Sequence, residues 1–382
     1  MNFSYVNPTK IYFGQNQIAS IKEAIPADQK VLIIYGGGSI KKNGVYDQVA
    51  DALQGHEWLE FSGVEPNPTK ETLDKAVEIV KNQHVDFILA VGGGSVIDGS
   101  KYVAAASKYD GDGWDILIGQ HQVKEAVPLA AILTLPATGS ESNMGAVITK
   151  AETQDKLPFM APAVQPKFAV LDPDVMKTLP ERQLINGIVD AWVHVCEQYL
   201  TQPTGAMVQD GYAETLLKTL KTLGEQFAER DDDKWRANLM WSANQALNGL
   251  IGSGVPHDWA THMIGHELTA IWGVDHARSL AIIQPSLLRN QMQFKRAKLE
   301  QMGRNVFALE ACDYLAERTV QLIEDFYHQL GVATQLENYG DDRQQAIDTV
   351  IEQLEKHGMT VLGENQAIDL ATSREILDLA IA

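Results

Sequence analysis

Two cysteines, Cys196 and Cys312, are all that the 382 residues contain, and they form no CxxC pair. So thin a supply excludes a disulfide-framed secreted scaffold, and both read as ordinary buried thiols. Basic charge is short as well: 31 Lys and Arg stand against 50 Asp and Glu, a formal net charge of −19. A surface of that sign repels a phosphate backbone and anionic lipid headgroups, so neither nucleic acid nor a membrane is expected as a partner. Long apolar runs are missing too, since VPLAAILTLPATG (127–139) is short and broken by Pro and Gly. The opening MNFSYVNPTKIYFG has no basic stretch leading into an apolar core, so a secretory signal is not read and the cytoplasm is the expected compartment.

The 45% hydrophobic fraction can fill two cores at this length. From about residue 30 to 172, β-branched runs (30–35, 86–91, 129–135 and 168–172) alternate with helix-like stretches (43–54, 70–83 and 95–107), the pattern of an α/β domain with a mainly parallel sheet. From about 180 onward, apolar spacing of three and four takes over, as in ALEACDYLAERTVQLIEDFYHQL. The expected organisation is a dinucleotide-binding α/β domain over 1–178 and an α-helical metal-binding domain over 179–382. The join falls in LDPDVMKTLPERQ (171–183), where two prolines precede the first long helix.

The helical half carries five residues at metal-site spacing. Asp190 and His194 are four apart in NGIVDAWVHVCEQYL, His262 and His266 are four apart in HDWATHMIGHELTAIWG, and His276 follows. On helices each pair shares one face, and imidazoles with a carboxylate suit Fe²⁺ or Zn²⁺ rather than the oxygen-seeking Ca²⁺ or Mg²⁺. Five candidates compete for at most four places. Either one of His262 and His266 joins Asp190, His194 and His276, or both bind and His276 stays outside; helix geometry leaves this open. Met263 after His262 rules out HExxH and with it the usual metalloprotease base.

Three glycine- or hydroxyl-rich turns lie in the α/β half. VGGGSVIDGSK (91–101) follows an apolar run and opens a helix, so the backbone amides of Gly93, Gly94 and Ser95 would face an anion, although neither GxGxxG nor the Walker pattern is matched. YGGGSIKKNG (35–44) offers no acid for an adenine ribose. Its Gly37, Gly38, Ser39, Lys41 and Lys42 supply small residues, a hydroxyl and positive charge that suit a 2′-phosphate, which favours NADP(H) over NAD(H). LTLPATGSESNMG (133–145) presents Thr134 and Thr138 in a loop that could hold a phosphate or ribose, or be polar only.

In this order the motifs resemble the iron-containing alcohol dehydrogenase family, within the dehydroquinate synthase-like superfamily. NPTKIYFG, VEPNPT, GGGSVIDGSK, TLPATGSES, AVLDP, NGIVDAWVH and HDWATHMIGHELTA carry the resemblance over nearly the whole chain. YGGGS with its lysines and QALNGLIGSGVP (245–256) resemble the butanol dehydrogenase and NADPH-dependent aldehyde reductase branch.

The resemblance implies a Rossmann-like domain followed by an all-α domain, with Asp190, His194, His262 and His276 as ligands of one Fe²⁺ or Zn²⁺. His266 then stands beside the metal as a substrate or proton-relay residue. It further implies that Gly93, Gly94 and Ser95 hold the pyrophosphate, that Asp98 lies near the nicotinamide, that Thr134 and Thr138 contact cofactor, and that Lys156 lies near the adenosine ribose. Gly38 stands where many relatives carry an acid that excludes the 2′-phosphate. The expected activity is reversible reduction of small to medium aldehydes to primary alcohols with NADP(H), in a homodimer. The rivals are a glycerol dehydrogenase-like or dehydroquinate synthase-like NAD/metal enzyme and a non-catalytic metal- or nucleotide-binding protein. Arg278 is the one basic residue near the ligand helices, which argues against a polyanionic substrate.

Overall fold

A computed structural model describes residues 2–338, 340 and 342–381. Its chain divides into two compact units.

The first unit, Val6–Leu184 with Arg230–Asn244, is built on a six-stranded parallel sheet: β1 (Lys10–Phe13), β2 (Val31–Tyr35), β3 (Trp58–Phe61), β4 (Phe87–Gly92), β5 (Leu129–Leu133) and β8 (Phe168–Leu171), in the order β1-β8-β5-β4-β2-β3. The four inner strands are buried at every residue. A strand covered on both faces reads as an unbroken apolar run, which is why these four were legible from sequence. The edge strands were not expected, because KIYF and WLEF are four residues long and part-exposed. A separate antiparallel hairpin, β6 (Gly145–Lys150) with β7 (Asp155–Met160), was also unexpected. Pro158 lies inside β7, and a two-stranded ribbon tolerates it because each strand has an unpaired edge.

The expected helices appear as Val45–Ala52, Lys70–Gln83 and Gly94–Ala106. Lys70–Gln83 begins where its pattern says it should: the Thr69 hydroxyl accepts the Thr72 backbone N–H as an N-cap. Asp233–Ala246 also packs in this unit, where Trp241 meets Phe13 edge-on at 5.5 Å.

The second unit holds residues 2–5, Ile185–Glu229 and 245–381. It is helical, with Glu181–Tyr199, Met207–Glu225, Ala260–Trp272, His276–Asn290, Met292–Asn305, Leu315–Gln329, Arg343–Lys356 and Leu370–Ala380 as its main elements. Trp192 is fully buried against Phe326 and Phe307, with ring centroids 4.8 and 6.2 Å away. The thiols are not alike: Cys196 is buried, but Cys312 is exposed, because it falls in the connection before Leu315–Gln329 rather than on a packed helix face. Among the described residues no helix is long and apolar enough to cross a membrane.

Candidate metal centre and cofactor turn

The first ligand helix is Glu181–Tyr199, whose Leu184, Ile188, Val189, Trp192, Val193 and Cys196 are buried. Nearly all-round burial carries Asp190 and His194 inside, where they are 2% and 3% exposed. His262 and His266 lie on Ala260–Trp272 and are equally enclosed. Gly273 ends that helix in the left-handed region, φ 65°, and the short turn after it places His276 as the first residue of the next helix.

Nitrogens from three elements converge on one oxygen. The Nε2 atoms of His276, His194 and His262 stand 3.5, 3.7 and 3.9 Å from Asp190 Oδ1. His194 Nε2 and His262 Nε2 are 3.0 Å apart. The ring of His266 lies 5.3 Å from that of His276 and 6.0 Å from that of His262. Four of the five thus converge, and His266 flanks two of them, His262 and His276.

Electrostatics favour the charge states a cation needs. Burial pushes the His194 imidazole down to about 4, against the pull of Asp190, so its ring is neutral near pH 7. Burial pushes the Asp190 carboxyl up, but His194, His276 and His262 outweigh it and hold the group well below the usual carboxylate range. Asp190 Oδ1 is buried without a hydrogen-bond partner, an expensive state for an ionised oxygen. Two donors at ~2.1 Å from a tetrahedral ion are ~3.4 Å apart, and the separations of 3.0–3.9 Å bracket that value. The donor set fits a borderline divalent metal. Among the described residues, Asp190, His194 and His262 form the one group whose ligand atoms all lie within 4.8 Å of one another.

Behind His262 stands a residue that sequence reasoning missed. Glu197 is buried, and its Oε1 accepts the backbone N–H groups of Thr261 (2.7 Å) and His262 (3.3 Å). Its Oε2 meets His262 Nδ1. Burial, followed by the charge of Asp258, pushes its carboxyl up to about 8, against the pull of His194 and of the His262 and Thr261 backbone N–H groups. The available signal was periodicity: Glu197 is three residues past His194 and seven past Asp190, on the same face.

The candidate cofactor turn lies in the α/β unit. Gly93 follows β4 and Gly94 opens Gly94–Ala106. A Cβ at Gly94 would lie 2.6 Å from Thr138 Oγ1, and one at Gly93 would lie 3.0 Å from Leu135 Cβ. The first glycine run and the hydroxyl loop are therefore packed together, and Thr134 N–H bonds Gly92 C=O at 3.0 Å. Asp98 has both oxygens engaged: Oδ1 accepts from Ser140 Oγ at 2.5 Å and Oδ2 from Val147 N–H at 2.9 Å. Lys101, also missed, is fully buried and donates to Ser140 Oγ (2.8 Å), Asn143 Oδ1 (3.0 Å) and Gly145 C=O (2.6 Å). Burial pulls its ammonium down to about 8, against Asp98 and Glu141. Lys156, on β7, donates to Asn67 Oδ1 at 2.9 Å.

At the other glycine run, a Cβ at Gly37 or Gly38 would meet nothing within 4 Å, so space beside the backbone is open. Gly38 takes φ 89°, which an acidic side chain at that position would adopt only with strain. The run itself has no acid, but β3 delivers one: Glu60 accepts from Tyr46 Oη (2.9 Å), Tyr35 Oη (3.1 Å) and Lys41 Nζ (3.4 Å). Glu60 escaped the sequence reading because its strand did.

Comparison with known proteins agrees across the chain. Residues 8–173 match the family model described as iron-containing alcohol dehydrogenase, and residues 184–379 match the C-terminal model of the Fe-containing alcohol dehydrogenase family. The NADPH-dependent aldehyde reductase YqhD of Escherichia coli is 52% identical, covering 99% of this chain and 99% of its own. The probable NADH-dependent butanol dehydrogenase 1 of Bacillus subtilis is 40% identical, covering 94% of each. A crystal structure of NADH-dependent butanol dehydrogenase A from Thermotoga maritima superposes with TM-score 0.95 at 38% identity, covering 100% of this chain and 99% of that one.

Proposed function

Because the chain belongs to the iron-containing alcohol dehydrogenase family, we propose that it reversibly reduces small to medium aldehydes to primary alcohols with NADP(H). It is an oxidoreductase, and its full-length similarity to an NADPH-dependent aldehyde reductase and to butanol dehydrogenases supports this reaction class. The single observation that carries the reading is the convergence of His194, His262 and His276 on the buried Asp190 oxygen.

In this reading Asp190, His194, His262 and His276 hold one Fe²⁺ or Zn²⁺. Bound there, the metal supplies Lewis acidity toward a carbonyl oxygen, and NADPH supplies the hydride. The chain's part is to keep the His194 imidazole neutral and Asp190 ionised, which the burial of His194 and the rings around Asp190 favour. His266, enclosed beside the ligand rings, passes the proton to or from the substrate oxygen. Residues 1–178 bind the dinucleotide and 179–382 the metal. Gly93, Gly94 and Ser95 approach the pyrophosphate, with Asp98, Thr134, Thr138 and Lys156 around the nucleotide. Gly37, Gly38 and Ser39 leave room for the 2′-phosphate, with Lys41 at hand. A cytoplasmic homodimer completes the proposal.

One observation favours a second cofactor: Glu60 beside Lys41 partly cancels the charge that a 2′-phosphate needs, which supports NADH as an alternative. Both readings meet one experiment. Metal-free protein is reloaded separately with Fe²⁺ and Zn²⁺, then assayed for loss of NADPH or NADH absorbance with a panel of aldehydes. Metal-dependent oxidation of NADPH ahead of NADH is expected. Faster use of NADH overturns the cofactor assignment, and no turnover with either removes the catalytic reading in favour of a binding protein.

A further inference from the structure

We propose that Glu197 is the positioning residue of the ligand cluster, holding His262 in the one tautomer whose Nε2 can bind a metal; this rests on the metal reading above. The side chain is 3% exposed and both oxygens are committed to the start of the His262 helix. Oε1 takes the backbone N–H groups of Thr261 and His262, and Oε2 takes the His262 ring at Nδ1. One carboxylate thus fixes the start of the second ligand helix and the rotation of its imidazole together. A metal on Nε2 requires the ring proton on Nδ1, where Glu197 Oε2 is placed to accept it, and Nε2 faces His194 Nε2 at 3.0 Å and Asp190 Oδ1 at 3.9 Å.

Glu197 itself is held from behind. The Asp258 backbone N–H donates to the Glu197 carbonyl at 2.9 Å. The Asp258 carboxylate pairs with buried Lys295 at 2.6 Å, and the same ammonium donates to Leu200 C=O at 2.8 Å and reaches Glu364 at 3.2 Å. Lys295 therefore ties the residue after the Asp190/His194 helix to the residue two before the His262 helix. Glu197 and His262 meet at a separation that this buried ion network maintains.

A capping role alone would explain the backbone bonds but not the ring contact, and a glutamine separates the two. In Glu197→Gln the amide oxygen still accepts the Thr261 and His262 N–H groups. The amide nitrogen then faces Nδ1 and can only donate, which moves the ring proton to Nε2. The full chain, stripped of metal, is titrated with Zn²⁺ against a chromophoric chelator; its Tm is measured metal-free, and the His262 tautomer is read from imidazole ¹⁵N shifts. Glu197→Gln should weaken Zn²⁺ binding by roughly 10–100-fold, carry an Nε2–H at His262, and keep a metal-free Tm near wild type. Glu197→Ala should lose Zn²⁺ affinity and metal-free Tm together. Wild-type Zn²⁺ affinity or an unchanged tautomer in a folded Glu197→Gln overturns the proposal. So does an equal fall in metal-free Tm for the Gln and Ala variants, which makes Glu197 a residue of fold stability rather than of ring positioning. A wild-type chain that binds neither Zn²⁺ nor Fe²⁺ removes the metal reading itself, an outcome visible before any variant is made.

Discussion

The ligand cluster of the helical unit and the glycine turn of the α/β unit are made from different materials. The first is side-chain chemistry: four imidazoles and a carboxylate projected from three helices, all buried except the half-buried His276. The second is backbone and empty space: glycines admitted close to Thr138 and Leu135, with a buried Asp98–Ser140–Lys101 network beneath. The difference teaches where each is vulnerable. A side-chain site fails when one donor is removed, whereas a backbone site fails when an atom is added.

Removing a donor should give the largest effect. Asp190→Asn keeps the shape but takes away the anion on which three imidazoles converge. Loss of the metal and its several kcal/mol of transition-state stabilisation should lower kcat/KM by roughly 10³-fold or more. Metal content by plasma mass spectrometry and steady-state rates check this together; full metal content with near-normal turnover would break the comparison at its strongest point.

His266→Ala sharpens the line between ligand and neighbour. Its ring flanks His262 and His276, so turnover should fall by about 10²-fold, the usual worth of a positioned proton donor, while metal content stays near wild type. Metal lost in proportion to activity would instead make His266 a ligand.

Adding an atom tests the other unit. Gly94→Ala puts a Cβ 2.6 Å from Thr138 Oγ1, so the turn and loop must part. KM for NADPH should rise by roughly 10–100-fold, since a misplacement of ~1 Å costs about that, with metal content unchanged. Gly37→Ala is the control, because a Cβ there meets nothing within 4 Å. Its thermal stability should match wild type, and any rise in KM would report cofactor at that face.

These contrasts also explain what could be read from the sequence. Asp190, His194, His262 and His266 were visible because helical spacing of four is a side-chain signature. The inner strands were visible because double-faced burial leaves unbroken apolar runs. Short edge strands carry no such run, so β1 and β3 were missed, and Glu60 with them. Glu197 and Lys101 were missed for another reason. A lone acid or lysine on a helix is ordinarily solvated, and only packing reveals that these two are buried with every polar atom engaged. The choice among five ligand candidates came from the family resemblance, because helical spacing treats His262 and His266 alike.

The smallest expected effect concerns stability rather than turnover, and it asks whether the support beneath the glycine turn carries a charge penalty. Lys101 is fully buried, and burial pulls its ammonium from the ordinary 10.5 down to about 8 despite Asp98 and Glu141. The folded protein then binds fewer protons than the unfolded chain between about pH 8 and 10.5. Stability should therefore rise with pH across that window, and the penalty is fully present below it. Tyrosine ionisation acts in the same range, so the difference between wild type and Lys101→Met isolates the lysine. Urea unfolding at pH 8 and pH 10 should show wild type gaining on the order of 1–2 kcal/mol relative to the variant. A difference that is flat with pH would mean that its three hydrogen bonds keep Lys101 charged throughout. The polar network under the turn would then be as firmly ionised as Asp190, and the contrast between the two units would narrow to the donors themselves.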